Sequence, residues 1–180
     1  VTEIKAYARG VWHHFPGQKA ILDIGGQDSK AIALTDKGRV KKFEMNDRCA
    51  AGTGKFLEIM ASALGFSLED FGAEALQAEK SLNISSMCTV FAESEVTSLI
   101  AKGQDPREIA LGLHAAVVRR AVSMLRRVSS NLDSVVFAGG VANNSCMLEL
   151  LADSLGVDVQ VPETPQMTGA LGAALLAAEG

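Results

Sequence analysis

Three short glycine-containing turns carry the residues of this sequence that are best suited to chemistry. Residues 23–30 read DIGGQDSK, residues 52–54 read GTG, and residues 139–140 are a second Gly-Gly pair. Consecutive glycines let the backbone approach an anion closely, with its N–H groups turned toward the charge. One such turn is weak evidence, because tight turns after strands are common. Three of them in one domain predict a nucleotide pocket.

The first turn also supplies carboxylates and hydrogen-bonding side chains. Asp23 and Asp28 are oxygen ligands of the kind that Mg²⁺ prefers, either directly or through water. Gln27, Ser29 and Lys30 offer groups that hydrogen-bond to phosphate oxygens. The sequence therefore predicts that this turn holds phosphate together with a magnesium ion.

The elements that must position these turns follow from the hydrophobic pattern. Buried-strand patterns end at both Gly-Gly pairs, and Asp105-Pro106 is typical of a helix start, since Asp caps a helix and Pro is tolerated at its first position. The predicted elements are strands at 19–24, 29–35 and 39–46, a helical region at 54–79 broken near Gly65 and Gly72, helices at 91–102 and 105–131, a strand from 134, a helix at 143–155, a short strand at 157–161 and a last helix at 169–178.

The order of these elements predicts the fold class. With residues 47–105 set aside as a helical insertion, it runs strand, strand, strand, helix, strand, helix, strand, helix. A three-stranded meander followed by right-handed β-α-β crossovers builds a mixed five-stranded sheet with helices on its faces. We therefore predict an α/β fold of the ribonuclease-H-like type. Ligands of such sheets bind at the carboxyl ends of strands, where both Gly-Gly turns fall.

Bulk composition narrows the class of protein. The chain has 180 residues, 48% of them hydrophobic, which suffices for one globular domain with a substantial core. No apolar run reaches the roughly 18–20 residues of a membrane span. The net charge of −4 argues against a nucleic-acid partner, so Arg119-Arg120 and Arg126-Arg127 are interpreted as a solvated helix face or a partner contact. Three scattered cysteines form no disulfide framework and fit a reducing cytoplasm.

The residues alone leave the role of the cysteines open. Cys49 lies just before the GTG turn, and Cys88 lies just before a predicted helix. A free cysteine is most often a small buried hydrophobe. The dipole at a helix N-terminus, however, favours a thiolate or an anionic cluster. Cys146 sits in an apolar helix pattern and is predicted to belong to the core.

Five segments together resemble the activators of 2-hydroxyacyl-CoA dehydratases. These activators belong to the BadF/BadG/BcrA/BcrD ATPase family of the acetate kinase, sugar kinase and actin superfamily. The segments are DIGGQDSK at 23–30, NDRCAAGTGKFLE at 46–58, CTVFAESE at 88–95, FAGGVANN at 137–144 and PQMTGALGAAL at 165–175. The resemblance runs from about Thr2 to the end and implies an actin- and hexokinase-type ATPase lobe. It further implies a homodimer that shares one 4Fe-4S cluster and passes an electron to the dehydratase component, driven by ATP hydrolysis.

The resemblance also implies roles for individual residues. Cys49 and Cys88 match the cluster ligands, and a cubane needs about four thiolates, which two per chain supply only across a two-fold axis. Asp23, near Mg²⁺ or the attacking water, and Gln27, near the phosphates, are implied in catalysis. The contacts implied for ATP or ADP and its Mg²⁺ are Gly25, Gly26, Asp28, Ser29, Lys30, Gly52, Thr53, Gly54, Glu58, Gly139, Gly140 and Asn143.

Some of these implications keep an alternative. Lys55 and Glu58 either reach the nucleoside or are ordinary surface charges. Pro165 and Met167 are placed at the adenine edge. An electron donor such as ferredoxin or flavodoxin is implied as a further partner, and no membrane partner is expected.

The superfamily binds ATP between two lobes, and no first phosphate motif precedes residue 23. We therefore expect residues 1–180 to be the second, carboxyl-terminal lobe. Weak or no turnover is expected of it alone, because phosphoryl transfer depends on positioning by both lobes. Two alternatives stay open. One is a small-molecule kinase lobe of the sugar-kinase type, which needs a general-base aspartate apart from the phosphate motifs. The other is a non-enzymatic dimerisation or docking module.

Overall fold

The computed structural model describes residues 2–85, 88–130 and 132–179. These residues form five strands, seven α-helices and two short 3-10 turns. In chain order the elements are α1 (Glu3–His14), β1 (Ala20–Ile24), β2 (Ser29–Leu34), β3 (Val40–Asn46), α2 (Gly54–Leu64), α3 (Phe71–Ala75), α4 (Thr89–Ala101), α5 (Pro106–Val128), β4 (Ser134–Ala138), the 3-10 turn Gly140–Asn143, α6 (Ser145–Leu155), β5 (Asp158–Gln160), the 3-10 turn Pro165–Met167 and α7 (Thr168–Glu179).

The strands form the predicted mixed five-stranded sheet, in the order β3-β2-β1-β4-β5. β2 pairs antiparallel with both β1 and β3, whereas β4 runs parallel to both β1 and β5. In this register Asp23 of β1 lies between Lys30 of β2 and Ala138 of β4. The two Gly-Gly turns, which follow β1 and β4, therefore meet at one edge of the sheet.

The central strands β1, β2 and β4 are buried between two helical layers. On one face, Leu22 and Ile24 of β1 join a large core built with α2, α3, α5 and α6. On the other face, Ile21 of β1 joins a smaller core with Ala8 and Val11 of α1. Because β1 and β2 are buried along their whole length, their side chains are held rigidly at the edge where the turns begin.

Helix α1 packs along α7 on the outer side of the smaller core. Glycine makes this close approach possible. A Cβ atom at Gly172 would overlap the carbonyl oxygen of Ala6, and one at Gly10 would overlap that of Thr168. Helix α1 itself has 12 residues and lies before the first predicted strand.

Two predicted boundaries are corrected by tertiary packing. The predicted helical region is broken at Gly65 as expected, where the backbone is left-handed, but Gly72 does not break a helix. Gly72 lies inside α3, and a Cβ atom there would come within 2.5 Å of Asn144 Oδ1. Asn144 in turn caps α6, so that helix begins at Ser145, after a separate 3-10 turn, and not at Asn143.

Helix α5 forms the backbone of the larger core. It begins as predicted, with the Asp105 carboxylate accepting a hydrogen bond from the Arg107 N–H at 2.8 Å and Pro106 in first position. Its 23 residues span about 34 Å and pack against α2, α3, α6 and the first three strands. No helix in the described parts of the chain is long and apolar enough to cross a lipid bilayer.

Candidate functional site

A cavity of about 360 Å³ opens where the three glycine turns converge. Gly26 comes from the first turn, Gly54 from the GTG segment and Gly140 from the second Gly-Gly pair. The complete lining is Gly26, Gly54, Lys55, Leu57, Glu58, Leu68, Glu69, Gly140, Val141, Asn143 and Asn144. The structure thus brings together the turns that the sequence singled out separately.

Backbone hydrogen bonds join the GTG segment to the first turn. The N–H of Gly54 donates to the carbonyl of Gly25, and the N–H of Lys55 donates to the carbonyl of Gly26, both at 2.8 Å. These two amides belong to the first two residues of α2. The first N–H donors of the helix are therefore hydrogen-bonded to the neighbouring turn. A Cβ atom at Gly54 would lie 3.1 Å from the Gly25 oxygen, a tight contact that glycine avoids.

The second Gly-Gly turn presses against the end of β1. Gly139 has a φ of +84°, a conformation that L side chains rarely adopt. A Cβ atom there would overlap the carbonyl of Ile24 and lie 2.7 Å from Asp23 Oδ1. The N–H of Gly139 donates to the carbonyl of Pro165 at 3.0 Å, which fixes the turn from its other side.

Asp23 is fully buried beneath these turns, next to a buried lysine. Lys30 Nζ lies 3.1 Å from Asp23 Oδ2, 2.7 Å from Asp28 Oδ2 and 3.0 Å from Glu3 Oε1. One ammonium group therefore faces three carboxylates. Asp23 Oδ1 is buried and has no hydrogen-bond partner among the described residues. Asp23 does not itself line the cavity, and an unpartnered buried oxygen of this kind is suited to a ligand or a water that reaches it beneath the turns.

Burial and charge both perturb the titration of this cluster. Burial raises the pKa of Asp23, and the nearby Lys30 charge opposes the rise. Burial also works against the charged form of Lys30, but the hydrogen bond to Asp28 and the charge of Asp23 outweigh it and raise the pKa of Lys30. The pKa of the Tyr7 phenol is raised by burial and by the Asp23 charge. An excess of negative charge remains, which suits a divalent cation.

The structure separates some of the residues predicted to contact a nucleotide. Ser29 is buried, with its hydroxyl 3.8 Å from the sulfur of Met124. Thr53 is also buried, and its hydroxyl donates to the carbonyl of Ala50 at 2.6 Å. Neither side chain lines the cavity, and Gln27, which is exposed at the first turn, does not line it either. Only Gly54 of the GTG segment reaches the cavity.

The mouth of the cavity carries one ion pair. Lys55 Nζ lies 2.9 Å from Glu58 Oε1, and both side chains are about half exposed, at 51% and 53%. Both residues line the cavity, so their charges face the space that a ligand would occupy. Met167, which the sequence placed at the adenine edge, lies instead in a separate depression beside α7.

Apolar and amide residues complete the wall, and the sequence reasoning missed them. Leu57, Leu68 and Val141 supply apolar surface, and Asn144 stands beside Asn143. Val141 directly follows the second Gly-Gly pair and Asn144 comes three residues later, so their closeness in the sequence to that turn is the signal that indicates them. Nothing in the local sequence marks Leu68, which is brought to the cavity by the loop before α3.

Behind this wall, Asn144 is held by a buried histidine. Asn144 Oδ1 accepts the Met147 N–H at 2.9 Å, and its Nδ2 lies 3.1 Å from His114 Nε2. His114 Nδ1 lies 2.8 Å from the Ala110 carbonyl, so Nδ1 carries the proton and Nε2 accepts. Burial lowers the pKa of His114 to about 4. The imidazole is therefore neutral at pH 7.

The cysteines fall into two groups. Cys49 and Cys88 are exposed, whereas Cys146 is buried, and its burial raises the pKa of the thiol to about 12. The core assignment of Cys146 is confirmed. Cys88 immediately precedes α4, and Cys49 lies in the turn before α2, a helix that packs against α4. Residues 86–87, in front of Cys88, lie outside the described ranges.

The turn that carries Cys49 is held by Asn46, the last residue of β3. Asn46 Nδ2 donates to the carbonyl of Cys49 at 2.9 Å and to that of Ala51 at 3.1 Å. Five residues after Cys49 the chain enters α2, whose first amides bond to the first glycine turn. Within residues 2–85, 88–130 and 132–179, no three His, Cys, Asp or Glu side chains converge as a metal site.

Comparison with known proteins agrees with this geometry. The family model described as the BadF/BadG/BcrA/BcrD ATPase family matches residues 1–177. The activator of lactoyl-CoA dehydratase from Anaerotignum propionicum is 48% identical over 179 residues, which cover 99% of this chain and 69% of that protein. The resemblance to activators of 2-hydroxyacyl-CoA dehydratases is confirmed.

Two solved structures show the same fold. One is the activator of the 2-hydroxyisocaproyl-CoA dehydratase from Clostridium difficile with bound ADPNP, at a TM-score of 0.93 and 41% identity, covering 99% of this chain and 66% of that chain. The other is component A of (R)-2-hydroxyglutaryl-CoA dehydratase from Acidaminococcus fermentans, at a TM-score of 0.92 and 41% identity, covering 98% and 67%.

These alignments confirm the predicted fold, a ribonuclease-H-like lobe of the actin and hexokinase type. The chain spans about two thirds of the length of the relatives that it matches. On the family match, the sequence identity and the shared fold, the chain belongs to the BadF/BadG/BcrA/BcrD ATPase family.

Proposed function

We propose that this chain is the nucleotide- and cluster-binding part of an ATP-dependent activator that passes an electron to a 2-hydroxyacyl-CoA dehydratase. The observation that carries the proposal is the pair of hydrogen bonds from the start of α2 to Gly25 and Gly26. Those bonds connect the glycine turn suited to phosphate with the segment of Cys49. The names of the relatives, which are dehydratase activators, support the same assignment.

ATP or ADP occupies the cavity in this proposal. Leu57, Leu68 and Val141 offer apolar surface to a base, and the glycine turns offer close approach to phosphates. Asn143 is a polar contact at the wall, and its Nδ2 donates to the Gly140 carbonyl at 3.2 Å. The related Clostridium difficile structure contains ADPNP, which supports a nucleotide of this type.

Asp23 and Gln27 are the proposed catalytic pair. The unpartnered Asp23 Oδ1 and the excess of carboxylates around Lys30 fit a magnesium ion, held directly or through water by Asp23 and Asp28. Magnesium would neutralise charge on the phosphates. Gln27 is exposed at the same turn, where its amide can orient the attacking water. A first lobe would supply further phosphate contacts, and residues 1–180 act as the second lobe, with 47–105 as its helical insertion.

Cys49 and Cys88 are the proposed cluster ligands. A 4Fe-4S cubane needs about four thiolates, and each copy of the chain offers two exposed thiols, both ahead of helices. The cluster would supply one-electron redox chemistry when bound. A homodimer with the cluster on its two-fold axis satisfies this requirement. Val90 and Phe91, next to Cys88, are each 67% exposed, which fits a surface covered by a second copy.

The function requires a route from nucleotide to cysteine. A change in phosphate occupancy that shifts Gly25 and Gly26 is transmitted to α2 through the amides of Gly54 and Lys55. Because Cys49 is only five residues before α2, its turn follows that movement. A ferredoxin or flavodoxin is the proposed electron donor and the dehydratase component the acceptor.

The test is iron and acid-labile sulfide on protein purified without oxygen. We expect about four irons per dimer, lost in Cys49→Ser and in Cys88→Ser. Cys146→Ala is the matched control and should retain them, because that thiol is buried in the core. A folded, dimeric protein without iron would contradict the proposal.

A further inference from the structure

We propose that Arg119 and Arg120, the arginine pair of α5, position the two cysteine segments relative to each other. The inference rests on the proposed function, since it assigns a task to residues around Cys49 and Cys88. The proposal is supported by contacts that the sequence does not indicate. From the sequence alone, the pair is interpreted as a solvated helix face or a partner contact.

Arg120 reaches the Cys49 turn through Asn46. Its Nη2 donates to Asn46 Oδ1 at 3.4 Å, while Asn46 Nδ2 donates to the carbonyls of Cys49 and Ala51. The amide orientation is fixed by its partners, because a guanidinium requires an acceptor and the two carbonyls require a donor. Asn46 thus links α5 to the turn.

The backbone of the turn passes directly over the stem of Arg120. Gly52 has a φ of +85°, and a Cβ atom there would lie 2.8 Å from Arg120 Cδ. The half-buried arginine therefore packs under the turn as well as bonding to it. This contact gives Gly52, the first glycine of the GTG segment, a packing role that does not involve the cavity.

Arg119 reaches the other cysteine segment. Its Nη2 donates at 3.3 Å to the carbonyl of Ile84, a buried residue four positions before Cys88. The next residue, Ser85, donates its N–H and its hydroxyl to Glu95 Oε1, both at 3.1 Å. Ile84 and Ser85 are therefore held between α5 and α4.

The pair forms no ion pair in the described part of the chain, although the charge of Arg120 helps to lower the pKa of Glu44. Arg107 and Arg127 of the same helix form ion pairs with Glu74 and Glu44. Among the described residues, no carboxylate lies within 4 Å of the Arg119 or Arg120 guanidinium. Two positive charges next to the cysteine segments would stabilise an anionic group bound there.

Helix α5 acts as a rigid spacer between the two cysteine segments. Adjacent residues on a helix point about 100° apart, so the two side chains reach different segments from one rigid support. Fixing both segments to α5 sets the separation of Cys49 and Cys88 before any ligand binds.

Amide hydrogen exchange on the metal-free protein tests the positioning role. Arg120→Gln should speed exchange of the Thr53 amide, which donates to Ala50 within the turn, by roughly five- to tenfold. The Ser85 amide should be unchanged in that variant. Arg119→Gln should have the opposite pattern, with fast exchange at Ser85 and none of the effect at Thr53.

Arg126→Gln is the matched control, because it removes the same charge from an exposed position of the same helix. It should leave both amides as in the unchanged protein. On the iron-loaded protein, Arg119→Gln and Arg120→Gln should shift the reduction potential to more negative values than Arg126→Gln does.

Exchange at Thr53 and Ser85 in both variants equal to that of Arg126→Gln would overturn the proposal. If the protein without substitutions binds no iron, the proposed cluster is contradicted. The exchange pattern would still decide the role of the arginine pair.

Discussion

Lys30 is the residue on which the buried charges of this molecule depend. Its side chain is 1% exposed, and its ammonium group lies among Asp23, Asp28 and Glu3. Removing one partner of a buried ion pair leaves an uncompensated charge, which costs more than the pair itself contributes. Lys30 therefore stabilises the folded chain and also holds Asp23 Oδ2, leaving Asp23 Oδ1 open.

We predict that Lys30→Met lowers the free energy of unfolding by about 3 kcal/mol, because Asp23 loses its buried partner. Urea denaturation measures the change. The double variant Asp23→Asn/Lys30→Met should recover part of the loss, since it removes both charges. Lys19→Met is the control, because Lys19 pairs with Asp36 at 3.2 Å on the surface and should cost less than about 1 kcal/mol. A Lys30→Met protein as stable as the unchanged one would contradict this prediction.

His114 gives the fold a pH dependence. The unfolded chain protonates this imidazole below its ordinary pKa near 6.5, whereas the folded chain does so only near 4. The unfolded state therefore binds more protons between these values, and stability falls as pH falls through this window. The full loss amounts to roughly 3 kcal/mol.

Urea unfolding at pH 7, 6 and 5 should show this decline. His114→Gln should be less stable at pH 7 but lack most of the slope, because glutamine has no proton to gain. Equal slopes in the two proteins would exclude His114 as the cause. The window above pH 5 is chosen because Glu44 and Glu179, whose pKa values are lowered by their arginine partners, titrate below it.

At the scale of elements, the glycines divide into those that packing requires and those that line open space. Gly72 in α3 faces Asn144 of the α6 cap, and Gly54 faces the first turn. Around Gly26 and Gly140, an added Cβ atom would meet nothing within 4 Å, yet both residues line the cavity. The second group is free of structural constraint and available to a ligand.

We predict that Gly26→Ala leaves the unfolding midpoint unchanged but weakens binding of ADP about tenfold, since the new methyl group enters the phosphate approach. Isothermal titration calorimetry and thermal unfolding separate the two effects. Gly72→Ala, by contrast, should lower the free energy of unfolding by about 1–3 kcal/mol, because the new methyl group overpacks against Asn144. Unchanged ADP affinity in Gly26→Ala would exclude this turn as the phosphate site.

Much of this element arrangement could be predicted from the sequence, because strand hydrophobicity and Gly-Gly ends are local signals. They gave the sheet, its mixed topology and the edge where two of the turns meet. The links between His114 and Asn144 and between Arg120 and Asn46 could not be predicted. They join residues 30 and 74 positions apart, on elements whose contact is decided by packing. The role of Gly72 was mistaken for the same reason, since a glycine that permits close packing resembles a helix breaker.

At the scale of the whole molecule, one connected unit joins the first glycine turn to the start of α2 and to the Cys49 turn. The sheet fixes one end through β1, and α5 fixes the other through Arg120 and Asn46. A unit held at both ends transmits a displacement better than a free loop does. Nucleotide state and cysteine position are therefore expected to change together, which is what an ATP-driven electron activator requires.

The alkylation rate of Cys49 in metal-free protein, with ADP or with a non-hydrolysable ATP analogue, tests this coupling most directly. Mass spectrometry of the labelled peptide reports Cys49, and the buried Cys146 serves as a control for unfolding. The account predicts different rates with the two nucleotides and no labelling of Cys146 with either. Equal rates at saturating nucleotide, or no binding of either nucleotide, would contradict it.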